Sequence, residues 1–358
     1  MNSSPKGRGA ALNPANRFEK LHLEPDPDAD FGDETSERPR RTEFLRDSTQ
    51  TIITYNDSPD VGFEASINAY RGCEHGCIYC YARPTHEYLG FSSGLDFESR
   101  IMVKENAPEL LRKELSSRKW KPQIIAMSGV TDCYQPVERK LQLTRRCLAV
   151  LAEFRNPVCI VTKNYLVTRD VDLLSELARF DAAAVFISVT TLDSTLTPKL
   201  EPRASLPAHR LAAIRELSRA GIQVGALVAP VIPGLTDHEI PAIVRAVAEA
   251  GVRFAGCVPL RLPFAVKDLF EDWLSRHFPE RKEKVIGRIR SMRGGKLNDP
   301  NFGSRMEGEG PFAAQIHSLF TVACRQAGLE GNRPNLSAAS FRVPAGAQAT
   351  FDFVNESR

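Results

Sequence analysis

The segment Cys73-Glu74-His75-Gly76-Cys77-Ile78-Tyr79-Cys80 places three thiols within eight residues, whereas the other five of the eight cysteines lie singly along the chain. A structural zinc site normally has four protein ligands, commonly supplied as two separated pairs, and no second pair accompanies this trio. Three thiolates on a cubane iron-sulfur cluster leave one iron without a protein ligand, which is the arrangement of a reactive site. Gly72 and Gly76 allow the backbone to turn around such a bulky ligand. The segment therefore favours a 4Fe-4S cluster over zinc.

The sequence around this segment alternates short apolar or β-branched runs with longer stretches of helical periodicity. Six runs predict strands, at residues 66–70, 124–128, 158–162, 184–189, 224–229 and 254–260. Helical spacing predicts helices at residues 109–115, 141–154, 171–180, 208–220 and 239–250, and Gly221 and Gly251 follow the last two as caps. Strands that alternate with helices predict an α/β fold with right-handed crossovers and a parallel sheet. Six such strands would close most of a barrel, and a doubly wound open sheet is the alternative.

The composition is that of a globular protein. Its 358 residues are 42% hydrophobic, which is enough for a substantial core. The net charge of +3 comes from 47 basic and 44 acidic residues, so charge neither favours nor excludes a nucleic-acid partner. The sequence has no apolar run long enough for a membrane-spanning helix, and its first residues lack the apolar stretch of a signal peptide. We therefore expect a cytoplasmic protein with reduced thiols and no membrane partner.

Composition also divides the chain into three parts. Residues 1–47 are rich in proline, acidic residues and arginine, which is typical of a disordered tail. Residues 48–262 contain the cysteine segment and the predicted barrel. Residues 263–358 show helical patterns at 269–277, 283–292 and 312–327 around a glycine-rich loop, and they predict a C-terminal helical extension packed on the core.

The cysteine segment resembles the CxxxCxxC signature of the radical S-adenosylmethionine (SAM) superfamily, with the aromatic residue Tyr79 directly before the last cysteine. The resemblance extends along residues 52–343 and points to the branch related to spore photoproduct lyase, often labelled DNA repair photolyase, whose bacterial members include ones of unassigned substrate. It rests on residues 71–104, which begin RGCEHGCIYCYARPTHEYLGFSSGLDFE, and on SGVTDCYQPVE, VTKN, ISVTT, LEPRAS, VGALVAPVIPGLTD and GSRMEGEG. The resemblance implies a partial (βα)6 TIM-like barrel with the cysteines on the loop after its first strand, at the end where such barrels build active sites.

The resemblance implies roles for the three cysteines and for residues at the ends of the predicted strands. Cys73, Cys77 and Cys80 would ligate the 4Fe-4S cluster, and Tyr79 would lie against the adenine of SAM. Further SAM contacts are implied for residues after the second to fifth predicted strands, namely Thr131, Asp132, Lys163, Ser188, Thr190, Arg203, Ile232 and Pro233.

Several of these implied contacts have alternatives. Thr131 and Asp132 would meet the SAM amino group, but Asp132 is equally compatible with a loop cap. The guanidinium of Arg203 would pair with the SAM carboxylate, and an ion pair with Glu201 is its alternative. His75 lies inside the motif as a candidate fourth ligand, and its neighbours favour a loop residue that tunes the cluster by hydrogen bonding.

The resemblance also implies the reaction. A reductant such as flavodoxin or ferredoxin would supply one electron to the cluster and through it to the sulfonium of SAM, which binds the open iron. The carbon-sulfur bond would then break to give methionine and a 5′-deoxyadenosyl radical that abstracts hydrogen from the substrate. The protein would position and shield, while the cofactor carries the difficult chemistry.

Tyr81 and Cys133 are candidates for a role in radical transfer. In spore photoproduct lyase a tyrosine directly after the last cysteine takes part in a radical relay with a nearby cysteine, and Tyr81 has that position here. The partner cysteine of that enzyme precedes the Thr/Ser-Asp step after the second strand, whereas in this chain Cys133 follows Asp132. A hydrogen-donating Cys133 is therefore a hypothesis whose alternative is a packed thiol, and this departure weakens the specific expectation of thymine-dimer repair.

Three functions stay open at this stage. The first is a radical SAM enzyme of unidentified substrate. The second is a DNA photolesion lyase of the spore-photoproduct type, which would have nucleic acid as its partner. The third is a protein without enzymatic activity in which an iron-sulfur cluster or zinc only stabilises the fold.

Overall fold

The computed structural model describes residues 5–19, 41–329 and 333–344. Its strands are β1 (Glu43–Arg46), β2 (Ile53–Tyr55), β3 (Ala65–Ile67), β4 (Tyr70–Arg71), β5 (Arg100–Val103), β6 (Ile125–Met127), β7 (Val158–Thr162), β8 (Ala183–Ser188), β9 (Gln223–Val231) and β10 (Phe254–Pro259). Its α-helices are α1 (Leu95–Ser99), α2 (Ala107–Leu115), α3 (Glu138–Leu141), α4 (Leu143–Phe154), α5 (Val171–Ala178), α6 (Thr197–Leu200), α7 (Pro207–Arg219), α8 (Ile240–Ala250), α9 (Val266–His277), α10 (Lys282–Ser291), α11 (Ser304–Glu307) and α12 (Gly310–Gln326). Short 3-10 helices lie at Arg83–Leu89, Tyr165–Asp170, Asp237–Glu239 and Pro279–Arg281.

The main sheet has the strand order β10-β9-β8-β7-β6-β3-β2. Its strands from β3 to β10 pair in parallel, and β2 pairs antiparallel with β3 at the edge. The six predicted strands are all present, as β3, β6, β7, β8, β9 and β10. Strands that follow one another in the chain lie side by side, whereas a doubly wound sheet reverses its order at a switch point. The order confirms the partial barrel and excludes the doubly wound alternative.

The helices between these strands cover the sheet with their apolar sides. In α4, for example, Cys147, Leu148, Leu151 and Phe154 are buried, and they recur at helical spacing. Helix α2 packs beside α4, α4 beside α5, and α7 beside α8. Helix α8 ends as predicted at Gly251, whose φ of 108° is a left-handed conformation that glycine adopts readily.

A second, smaller sheet contains the strands on either side of the loop that carries the cysteines. Its strand order is β1-β5-β4. Strand β4 leads directly into Cys73, and β5 returns from the loop and pairs with β4 in antiparallel orientation. Strand β1 then adds to β5 in parallel. The segment of residues 72–99, here called the cysteine loop, is therefore held at both ends by paired strands.

The prediction that residues 1–47 are disordered is wrong for two parts of that segment. Residues 5–19 lie along the cysteine loop, with Arg8 and Ala10 buried, and residues 43–46 form β1. Residues 1–4 and 20–40 lie outside the described residues. The physical reason is that hydrogen bonds and close glycine contacts hold residues 5–19 in place, and neither leaves a signal in hydropathy.

The helices predicted in the C-terminal part are present as α9, α10 and α12. Helix α12 packs on α8 and on β10, while residues 333–344 pass the opposite end of the sheet, where Ser337 N–H donates to the Asp181 carbonyl at 2.9 Å. The three-part division at residues 47 and 262 stays a prediction. None of the helices in the described ranges is long and apolar enough to cross a membrane.

Candidate active site

The three thiols of the cysteine loop lie together at the carboxyl end of the sheet. Cys73 and Cys77 are buried and Cys80 is partly buried. Burial raises the pKa of Cys77 well above its ordinary value, and the nearby charges of Glu201, Cys80 and Cys73 raise it further. Burial also raises the pKa of Cys80, with the Cys73 charge next in importance. The charge of Cys73 thus acts on both Cys77 and Cys80, so the three side chains lie close enough together to serve a shared metal centre.

Two glycines give the cysteine loop its turns. Gly72 has a φ of +83° and Gly76 a φ of +67°, conformations that other residues rarely adopt. A Cβ on Gly76 would also lie 2.7 Å from a carboxylate oxygen of Glu98, and one on Gly72 would lie 2.9 Å from the Phe97 carbonyl oxygen. The structure thus confirms the need for glycine at both positions.

Arg83 ties the cysteine loop together from inside. Its guanidinium is fully buried and donates to the carbonyl of Cys77 at 2.9 Å, and to that of Gly76 at 3.2 Å. It also donates to the carbonyl of Gly94 at 2.9 Å and forms an ion pair with the buried Glu98 at 2.5 Å. Neither charged residue was singled out from the sequence, because charged side chains are ordinarily expected on the surface.

Thr131 and Gln135, in the loop after β6, hydrogen-bond to the cysteine loop. The Thr131 hydroxyl donates to the Gly72 carbonyl at 2.7 Å, and the Gln135 amide donates to the same carbonyl at 3.2 Å. The Gln135 carbonyl oxygen accepts from the Glu74 N–H at 2.9 Å. The contacts of Thr131 are therefore with the cysteine loop, and its proposed contact with SAM stays a prediction.

Asp132 links the loop after β6 to the end of β7. Its carboxylate accepts from the Lys163 N–H and the Thr162 hydroxyl, each at 2.8 Å, and from the Tyr134 N–H at 2.9 Å, so it is at least the loop cap of the alternative interpretation. It also lies 3.3 Å from Nδ1 of His75. Burial would raise the pKa of Asp132, but the His75 charge and these hydrogen bonds lower it.

His75 is engaged at both ring nitrogens. Burial would lower its pKa, and the charges of Asp132 and Cys73 raise that pKa to about 10. The second ring nitrogen, Nε2, lies 3.0 Å from the side-chain amide of Asn164. These partners favour the loop interpretation of His75 over a fourth metal ligand.

A buried polar network lines the wall opposite the cysteine loop, at the ends of β8 and β9. The Tyr79 hydroxyl donates to Glu201 and lies 3.2 Å from the Thr190 hydroxyl, which donates to Glu201 at 2.7 Å. Glu201 forms a buried ion pair with Arg210, and Lys163 Nζ lies 3.9 Å from the same carboxylate. Burial would raise the pKa of Glu201, but Arg210 and Lys163 lower it to about 2. Tyr79, Lys163 and Thr190 are thus brought together around Glu201, and their contacts with SAM stay a prediction.

Arg203 has a partner that differs from both the SAM carboxylate and Glu201. It forms an ion pair with Glu74 of the cysteine loop at 2.9 Å, and its N–H donates to the His75 carbonyl at 3.2 Å. The alternative pairing with Glu201 is wrong, because Arg210 already occupies that carboxylate. A role for Arg203 at the SAM carboxylate stays a prediction.

The remaining predicted SAM residues lie on the ends of β8 and β9. Ser188 is buried and its carbonyl accepts from Arg210 at 3.0 Å. Ile232 and Pro233 are buried directly after β9, where the Ile232 N–H donates to the Thr236 hydroxyl at 2.9 Å. Ile232 also belongs to the apolar cluster that contains Cys77 and Tyr79, so this turn packs beside the cysteine loop.

Tyr81 and Cys133 have contrasting surroundings. The Tyr81 ring is 51% exposed, with its hydroxyl donating to the Gly129 carbonyl at 2.8 Å and the Arg261 guanidinium 5.3 Å from its centre. Cys133 is 3% exposed within the main apolar core, and burial raises its pKa well above the ordinary value. Tyr81 is thus half exposed, whereas Cys133 is buried within the loop after β6, where a packed thiol is the simpler interpretation.

The donor set fits a cluster with three cysteine ligands. Cys73, Cys77 and Cys80 supply three thiolates from one loop, and iron-sulfur clusters are held by such ligands. Within the described ranges, no group of three or more histidine, cysteine, aspartate or glutamate side chains is arranged to hold a metal ion. A cubane accepts its thiolates at separate irons, so the ligands need not converge on one point as they do around zinc.

Sequence comparisons find a family model and relatives that match this chain. The family model described as Radical SAM superfamily matches residues 67–247. Uncharacterized protein Rv2578c of Mycobacterium tuberculosis is 35% identical over 232 residues, which are 64% of this chain and 67% of that protein. Uncharacterized protein MJ0683 of Methanocaldococcus jannaschii is 33% identical over 178 residues, which are 50% of this chain and 64% of that protein.

Solved structures of spore photoproduct lyase share the fold. A variant of that enzyme matches with a TM-score of 0.58 and 16% identity, and the match covers 82% of each chain. The same enzyme complexed with dinucleoside spore photoproduct matches with a TM-score of 0.55 and 16% identity over 79% of each chain. At such identity the likeness concerns the fold alone.

Proposed function

Because the chain belongs to the radical SAM superfamily, and is therefore an enzyme that uses a 4Fe-4S cluster and SAM, we propose that it cleaves SAM reductively to methionine and a 5′-deoxyadenosyl radical. The radical takes a hydrogen atom from a substrate that is still to be identified. One observation carries the proposal: three mutually close thiols lie on a glycine-shaped loop at the carboxyl end of the half-barrel, where barrel enzymes build their active sites.

We assign to side chains of this protein the binding and orientation of the cluster and of SAM. When bound, the cluster supplies the electron that breaks the carbon-sulfur bond of SAM. Cys73, Cys77 and Cys80 would hold the cluster. The ion pair of Glu201 with Arg210 fixes the hydroxyl of Tyr79, whose ring would contact the adenine. The remaining SAM contacts are proposed for Thr131, Asp132, Lys163, Ser188, Thr190, Arg203, Ile232 and Pro233.

The electron comes from outside the protein. We propose a reductant such as flavodoxin or ferredoxin. We also propose a cytoplasmic location, because eight free thiols call for a reducing compartment.

The proposal is tested by anaerobic reconstitution with iron and sulfide, followed by measurement of 5′-deoxyadenosine released from SAM under strong reductant. Cys77→Ala is expected to reduce release to the background of iron-free protein, because it removes one of the three ligands. Cys159→Ala is the matched control, since Cys159 lies on β7 outside the cysteine loop, and it is expected to retain activity. Release that is unchanged in Cys77→Ala would contradict the proposal.

A second candidate is a nucleic-acid lesion lyase, and exposed aromatic residues beside arginines favour it. Tyr81 lies against Arg261, and the 60% exposed ring of Phe264 lies 3.8 Å from the guanidinium of Arg17. Aromatic rings that stack on bases and arginines that meet phosphates are typical of single-stranded nucleic-acid sites. In this candidate Tyr81 takes part in radical transfer and Cys133 donates the hydrogen atom.

The second candidate predicts salt-dependent binding of a short single-stranded DNA, measured by fluorescence anisotropy. Arg261→Gln is expected to weaken that binding and to reduce its salt dependence by about one charge. Arg253→Gln removes the same charge from the exposed residue before β10, at the opposite end of the sheet, and should leave binding unchanged. Equal binding by both variants would contradict the candidate.

A further inference from the structure

Residues 5–19, here called the N-terminal arm, run along the outside of the cysteine loop and bond to it over their whole length. The Leu95 N–H donates to the Leu12 carbonyl at 3.1 Å. The side chain of Asn13 pairs with Asp96, donating to its carboxylate at 2.9 Å and accepting from its N–H at 3.0 Å. Further along, Asn16 donates to the Glu87 carbonyl at 2.9 Å. These contacts join segments that are more than seventy residues apart in the chain.

The arm and the loop approach each other as closely as two backbones can. A Cβ on Gly9 would overlap the carbonyl oxygen of Gly76, the glycine inside the cysteine motif. A Cβ on Gly94 would likewise overlap the Leu12 carbonyl oxygen. At Gly9 the arm therefore lies directly on the peptide unit of Gly76, next to Cys77, and at Gly94 it lies on the far part of the cysteine loop.

Glu98 connects the arm to the peptide units of the motif. Its carboxylate accepts from the N–H groups of Gly9 and Ala10, each at 2.9 Å. The same carboxylate pairs with Arg83, which donates to the carbonyls of Gly76 and Cys77. Glu98 is fully buried, so loss of the arm would leave its charge with two fewer donors in an apolar setting.

The arm also covers the apolar side of the motif. Ala10 is fully buried in the cluster of apolar residues that contains Cys77, Ile78, Tyr79 and Leu95. Removal of this cover would admit water to the side of Cys77. Solvent exposure and the groups around the ligands are among the factors that set the reduction potential of an iron-sulfur cluster and its retention.

We propose that the N-terminal arm is part of the cluster site, with Gly9, Ala10 and Glu98 as positioning residues that hold the Cys77 side of the loop and keep water from it. The proposal rests on the cluster that the proposed function requires. It adds to that function a segment that lies outside the matched family region, which begins at residue 67.

The test compares anaerobically reconstituted full-length proteins. Gly9→Val inserts a side chain where the arm meets Gly76, so the arm is displaced. Gly62→Val is the matched control, because Gly62 also has an ordinary φ and a Cβ there would have no atom within 4 Å. Hydrogen exchange at the amides of Gly9, Ala10 and Leu95 reports directly whether the arm is displaced.

Two properties of the cluster are then measured, the rate of iron release to a chelator and the midpoint reduction potential. Gly9→Val is expected to release iron about 10- to 100-fold faster, the usual cost of losing the groups that support metal ligands. Its potential should shift to more positive values, since the reduced cluster carries more negative charge and water stabilises that charge. Gly62→Val should match the unsubstituted protein in both properties.

The outcomes separate this proposal from the proposed function. If the arm amides exchange freely in Gly9→Val while iron release and potential stay unchanged, the arm has no part in the site and the proposal is overturned. If Gly9→Val does not fold, Asn13→Ala provides the same comparison, because Asn13 is exposed and its loss removes only the pair with Asp96. A full-length unsubstituted protein that binds no iron would overturn the proposed function itself, and the arm proposal with it.

Discussion

At the scale of single residues, the site depends on charged side chains that are buried in pairs. Arg83 and Glu98 are fully buried, and Arg210 and Glu201 are each 1% exposed. A buried charge is tolerated when its partner and its hydrogen bonds replace water. Each pair also contacts the motif, from Arg83 to the carbonyls of Gly76 and Cys77 and from Glu201 to the Tyr79 hydroxyl. Their role is to hold residues that we propose to meet the cofactors.

The substitution Glu201→Gln tests whether the buried pair of Glu201 and Arg210 stabilises the fold. The change leaves Arg210 buried without a counter-charge, and breaking such a pair costs about 3–5 kcal/mol in the free energy of unfolding. Glu153→Gln makes the same change in an exposed pair with Arg112, where the cost should be below about 1 kcal/mol. Both are measured by chemical denaturation of the iron-free protein at neutral pH. Similar losses in the two variants would contradict the prediction.

The same substitution should change the response to acid. The pKa of Glu201 in the folded protein is about 2, below its ordinary value of 4.5, so its ionisation stabilises the fold above pH 4.5. That stabilisation is lost as the pH falls from 4.5 to 2. The difference in unfolding free energy between the unsubstituted protein and Glu201→Gln should therefore shrink across this window, and a constant difference would be evidence against the assignment.

At the scale of the elements, residues of three neighbouring strands lie in register across the sheet, with a glycine on the central strand. Gly225 of β9 lies in register with Phe186 of β8 and Phe254 of β10. The two rings approach each other over the glycine, with centres 5.5 Å apart. A Cβ on Gly225 would lie 2.5 Å from a carbon of each ring. A glycine that local β propensity disfavours is thus required by packing across the strands.

Gly225→Ala should lower the free energy of unfolding by about 1–3 kcal/mol, because the rings must separate to admit the methyl group. Gly287→Ala is the control within α10, where a Cβ would meet no atom within 4 Å. There alanine should raise stability by about 0.5–1 kcal/mol, the difference in helix propensity. Thermal or chemical unfolding measures both variants, and a gain in stability for Gly225→Ala would refute the packing argument.

At the scale of the whole molecule, the two ends of the sheet have separate tasks. The carboxyl end carries the cysteine loop, the polar wall and the N-terminal arm. At the amino end, Arg342 N–H donates to the Phe154 carbonyl at 2.9 Å, and Gln223 and Asn335 exchange two hydrogen bonds. The ring of Phe341 packs 6.1 Å from that of Phe154. This division, with chemistry at one end and stability at the other, is general for barrels of parallel strands.

Phe341→Ala should therefore affect stability and leave the cofactor site intact. We expect a loss of about 1–3 kcal/mol in the free energy of unfolding, less than for a fully buried phenylalanine because the ring is only partly buried. Phe302→Ala, which removes a 55% exposed ring, should stay within about 0.5 kcal/mol. Iron content after reconstitution is the second measurement, and a loss of iron in Phe341→Ala would show that the two ends are not independent.

Sequence by itself determined the strands, the helices and the cysteine motif. Each of these depends on residues that are close together in the chain. Apolar periodicity predicts the strands and helices, Gly221 and Gly251 mark helix ends, and the spacing of the three cysteines defines the motif. The parallel half-barrel then follows, because alternating strands and helices leave few ways to connect them. The strand order was needed to choose between the barrel and the doubly wound sheet.

Only the tertiary structure decided which polar groups complete the site. Gly9 meets Glu98 across 89 residues and Tyr79 meets Glu201 across 122 residues. Local sequence cannot indicate such pairs, since a charged residue reads as a surface residue until its partner is known. The N-terminal arm escaped prediction for the same reason, because backbone hydrogen bonds and glycine contacts hold it without an apolar pattern. Which side chain pairs with which is a property of the folded chain. It matters most for buried charges, because a buried charge without its partner is destabilising.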